Sequence, residues 1–72
     1  PNIWNVFGVL ASNVKLVIYD ILGKEVAVLV NEYQVKGKYR INFDATNLSS
    51  GVYLYKFSTN KFTQIKKMVL AK

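Results

Sequence analysis

The chain has 72 residues, ten basic and four acidic, giving a formal charge of +6, with 51% hydrophobic residues and neither cysteine nor histidine. That length fits one domain over residues 1–72, hiding only about 60% of the surface its unfolded form exposes, so modest stability is expected. The missing residue types exclude disulfides, thiolate chemistry, cysteine or histidine metal ligation and the commonest general base. No apolar run approaches the roughly 20 residues a membrane helix needs, and no signal peptide is expected within these residues.

Hydrophobic alternation of period two runs through the chain, and no segment carries a helical period. In chain order it predicts strands over Ile3 to Val9, Val14 to Asp20, Glu25 to Val30, Lys38 to Asp44, Val52 to Thr59 and Phe62 to Leu70. In the second, Val14, Leu16 and Ile18 alternate with Lys15 and Tyr19; in the fourth, Tyr39, Ile41 and Phe43 alternate with Arg40 and Asn42. The breaks carry turn residues: Ser12-Asn13, Gly23-Lys24, Lys36-Gly37, the stretch from Ala45 to Gly51, and Asn60-Lys61. Connections this short imply antiparallel neighbours. Gly23 and Gly37 are expected to supply positive φ in two hairpins, and Asn60 to adopt the left-handed conformation in a third.

The fifth strand places Tyr53, Tyr55 and Phe57 on one face and Leu54 and Lys56 on the other; one face is core, and spacing of this kind favours the aromatic one. The last strand is less regular, with Ile65, Val69 and Ala71 on one parity and Met68 and Leu70 on the other, so a bulge near Lys66-Lys67 is expected. The fold class is all-β: an immunoglobulin-like antiparallel β-sandwich of about six to seven short strands.

Residues suited to catalysis are few. Asp20 and Glu25 flank a hairpin turn and could pair as glycosidase carboxylates; the favoured reading is a turn-capping aspartate beside an exposed glutamate. Ser49-Ser50-Gly51 lacks a nucleophile elbow and a histidine partner. No enzymatic activity, cofactor or metal site is expected. No acidic residue follows Asp44, whereas Lys56, Lys61, Lys66, Lys67 and Lys72 all do. A solvated face is the plainer reading of that asymmetry and an anion-binding role the alternative. Without an RNA-recognition motif or basic helix, nucleic acid is not an expected partner. Trp4 has no assigned role.

Three phrases in fixed order, VKLVIYDILGKEV (Val14 to Val26), NLSSGVYLYKF (Asn47 to Phe57) and IKKMVLAK (Ile65 to Lys72), resemble the C-terminal sorting domain of the type IX (Por) secretion system. The resemblance covers Ser12 to Lys72. It implies a seven-stranded immunoglobulin-like sandwich that directs an upstream cargo through outer-membrane secretion machinery to the cell surface or medium, with recognition and cleavage by a surface sortase. The recognition residues it implies are Gly23, Gly51, Tyr53, Lys66, Lys67, Val69 and Lys72. For Gly23, Gly51 and Tyr53 a structural role is the stronger expectation; the lysines are the better functional choices. Of the proline- and asparagine-rich phrase that opens family members, only Pro1-Asn2 corresponds. The first strand is therefore expected to leave an exposed edge able to form a weak homodimer. The competing reading is an accessory module that binds acidic polysaccharide through tyrosines and lysines.

Overall fold

The structure, a computed structural model, describes residues 2–9 and 11–71, with side chains from Phe7 onward. Among the described residues there are six strands: β1 (Asn2–Val9), β2 (Ser12–Asp20), β3 (Glu25–Gln34), β4 (Gly37–Asp44), β5 (Gly51–Ser58) and β6 (Thr63–Leu70). They form two antiparallel sheets, a pair β1-β4 and a quartet ordered β3-β2-β5-β6. In immunoglobulin lettering β1 to β6 take the places of B, C, C′, E, F and G. The all-β sandwich expected from alternation is therefore present.

Two apolar clusters fill the space between the sheets. One joins Ile18, Phe43, Ala45, Tyr53, Met68 and Leu70; the other joins Val9, Val14, Leu16, Val30 and Phe57, and Tyr55 and Leu29 pack against both. The aromatic face of β5 is thus the core face. Val14, Leu16 and Ile18 are at most 1% exposed, and each fully buried side chain of this size contributes about 1.5–3 kcal/mol. Val17 is equally buried but belongs to neither cluster; alternation turns it to the outer face, between its register partners Val28 and Lys56.

Several local expectations are corrected. Ser12 and Asn13 open β2 instead of forming a turn. The Ser12 hydroxyl accepts a hydrogen bond from the Asn60 N–H (2.9 Å) and donates one to the Asn13 carbonyl (3.1 Å), tying β2 to the β5–β6 turn. The short β1–β2 and β3–β4 connections pass between sheets and do not close hairpins, because β1 and β4 pair with each other. Gly37 accordingly lies within β4 without positive φ, and the second positive-φ glycine is Gly51. Asn60 does not adopt the left-handed conformation; the Thr59 hydroxyl instead accepts from the N–H groups of Lys61 (3.2 Å) and Phe62 (3.3 Å) and shapes that turn. β3 runs four residues beyond its expected end at Val30.

The expected bulge in the last strand is absent. β6 pairs with β5 in unbroken register from Thr63 opposite Ser58 to Leu70 opposite Gly51. Met68 and Leu70 face the core while Ile65 and Val69 remain exposed, so two apolar parities coexist because the strand has two different faces. The irregularities fall on β3, where the register with β2 shifts between Leu16/Val17 and Ile18/Tyr19, leaving Leu29 and Val26 as extra residues.

Candidate recognition surface

The β2–β3 turn is held tightly. One Asp20 carboxylate oxygen accepts from the Leu22 and Lys24 N–H groups, both at 2.9 Å, and the backbone adds Asp20 N–H to Lys24 C=O (2.9 Å) and Gly23 N–H to Asp20 C=O (3.0 Å). Gly23 closes the turn at φ +87°. Asp20 therefore caps a turn, and Glu25 lies across from Tyr19 on β3. Above this frame Ile21 and Leu22 are 71% and 90% exposed, an apolar tip that the sequence reading did not single out.

Gly51 begins β5 at φ +153°, a conformation L residues rarely adopt. Two residues on, the buried Tyr53 donates its hydroxyl proton to the Ser49 carbonyl at 2.7 Å. This is the tyrosine corner of an immunoglobulin sandwich, placed as it should be at the entry to strand F. A second such bond runs from the Tyr39 hydroxyl to the Val35 carbonyl at 2.6 Å. Both arise from the pattern Gly-x-Tyr, as SSGVY and VKGKY, so the recurrence that identifies the second was already present in the sequence.

Register brings part of the expected set together. Gly51 pairs with Leu70, Val52 with Val69, Tyr53 with both Met68 and Asp20. Gly23, Gly51, Tyr53 and Val69 consequently share one end of the sandwich, together with the β4–β5 loop. Gly23, Gly51 and Tyr53 hold backbone geometry there, while Val69, 67% exposed, is available for contact. Lys66 and Lys67 sit further along β6, opposite Tyr55 and Leu54. Both are exposed, and alternation sends them to opposite faces of the strand: Lys66 with Met68 and Leu70, Lys67 with Ile65 and Val69. Lys72 lies outside the described residues.

The outer face of β2, β5 and β6 is apolar and basic. Crossing it in register, Val17, Lys56 and Ile65 form one row and Tyr19, Leu54 and Lys67 the next. β5 and β6 contain no acidic residue, so Lys56 and Lys67 set a positive field along this face, and Lys66 adds to it from the other face of β6. Ile65, 60% exposed, completes the surface; its odd parity beside Lys67 and Val69 was visible in the sequence but was assigned inward through the bulge. Among the tyrosines open to the polysaccharide-binding reading, Tyr53 and Tyr55 pack inward.

A family described as the secretion system C-terminal sorting domain matches residues 3–71. No curated protein and no solved structure matches the chain.

Proposed function

The chain belongs to the secretion system C-terminal sorting domain family, and from that premise we propose that its apolar-basic β6 side is read first by the export machinery and then by a sortase that severs the domain from its cargo. A type IX sorting signal implies export to the cell surface or medium, contact with the secretion machinery and a fused cargo upstream. The observation that carries the finer reading is the division of labour among the expected residues. Gly23, Gly51 and Tyr53 are consumed by turn and corner geometry, leaving Lys66, Lys67 and Val69 exposed on one regular strand. A signal shared by unrelated cargos must present its contacts on a self-sufficient scaffold, and this arrangement does so without catalytic chemistry.

The test is a fluorescent reporter placed ahead of the chain and expressed, with a secretory signal peptide, in a type IX-competent bacterium and in its translocon-deficient derivative. Surface or medium fluorescence only in the competent strain, with the reporter shortened by the mass of this domain, is expected. Periplasmic retention in both strains contradicts sorting and favours the polysaccharide-binding alternative. Export of a full-length fusion contradicts the sortase step alone. Homodimerisation through the β1 edge is a further part of this reading, checked by sedimentation at high concentration, where a purely monomeric mass would exclude it.

A further inference from the structure

The two outer strands of the four-stranded sheet are built differently. β3 is interrupted by two register shifts, a device that bends an edge away from pairing, whereas β6 keeps eight residues in unbroken register and has no proline. The Thr59 N–H to Phe62 C=O bond fixes the phase of the β5–β6 ladder. Antiparallel alternation from there turns the free N–H and C=O groups of Thr63, Ile65, Lys67 and Val69 toward the open side. The residues with outward backbone groups are thus the ones whose side chains form the exposed apolar-basic stripe.

We propose that β6 is completed by an extended segment of a protein partner, which adds to the sheet as a fifth strand and sets two adjacent acidic side chains, flanked by apolar ones, opposite Lys66 and Lys67. This inference rests on the sorting reading and names how that partner binds. Backbone pairing supplies affinity independent of cargo, and side chains at alternate positions supply selectivity. Ile65 and Val69 offer apolar cross-strand contacts on the outer face; Lys67 on that face and Lys66 on the other each demand an opposing acid. An inward-facing lysine on an edge strand repels uncharged strands, so Lys66 keeps the edge closed to all but acidic ones.

The same lysines disfavour a second copy as the occupant. A two-fold pairing that keeps both sheet faces on their own sides centres on a single residue, and near-full overlap of β6 with its copy centres on Lys66 or on Lys67. Either choice sets a lysine directly opposite itself.

The test uses the reporter fusion with the chain unaltered and in three variants. Ile65→Pro removes an outward N–H while leaving the β5 ladder intact. Lys66→Glu with Lys67→Glu reverses the edge charge, and Lys15→Glu with Lys38→Glu makes the same net change away from β6. The expected result is export of the unaltered chain and the Lys15/Lys38 variant, with both β6 variants reduced at least about tenfold. Each purified variant must melt cooperatively; if Ile65→Pro does not, the Lys66/Lys67 pair decides. Export of the β6 variants at the level of the unaltered chain overturns the edge inference and leaves the sorting reading intact. Failure of the unaltered chain to be exported overturns the sorting reading and the inference with it. A doubled mass in sedimentation that Ile65→Pro abolishes would assign the edge to a second copy instead.

Discussion

β2 and β6 lie in the same sheet, separated only by β5, yet they serve opposite ends. β2 is paired on both sides and buries Val14, Leu16, Val17 and Ile18 almost completely; β6 is paired on one side and buries only Met68 and Leu70. Among the described residues the sandwich buries more apolar side chains in the central β2 than in any other strand, and it places its contacts in an edge strand that buries two. A small domain has little stability to spare, so this separation lets a recognition surface vary without unfolding the scaffold.

Truncation within β2 should have the largest effect. Ile18→Ala should cost about 2–5 kcal/mol, enough to abolish cooperative thermal unfolding at 37 °C in a domain this small. A cost similar to that of an exposed β6 residue would break the contrast. Next come the backbone constraints: Gly51→Ala should cost about 1–3 kcal/mol, because its conformation lies outside the L-residue regions although the space around it is open. Chemical denaturation checks this, and an unchanged midpoint would show that the β5 entry can relax. Smaller again is Tyr53→Phe, which should cost about 1 kcal/mol through loss of the bond to Ser49. Tyr39→Phe should cost less, since its bond to Val35 lies at the exposed surface. Equal losses from the two tyrosines would show that burial does not distinguish the corners.

Much of this was legible in the sequence, and the failures have a common cause. Alternation located all six strands and the core face of β5, since side-chain period is a local property. The Asp20 cap and the positive φ of Gly23 followed from turn chemistry that is equally local. Sheet membership was not local: β1–β2 and β3–β4 resemble hairpins by loop length, but the pairing of β1 with β4 is decided by burial across the sandwich. The β6 bulge failed for a related reason. It was inferred by requiring every apolar residue to face one core, whereas Ile65 and Val69 belong to an outer surface that only the strand order exposes. The lysines of the tail were recognisable from charge; their division between two faces needed the register.

The most direct test of separable stability and recognition is a paired measurement on Lys66→Ala with Lys67→Ala: thermal midpoint of the purified chain, and export of the reporter fusion. The expected result is a midpoint within about 3 °C of the unaltered chain, as for exposed positions away from the core, together with loss of most export. Unchanged export, or export lost only in step with a fall in the midpoint, would contradict it.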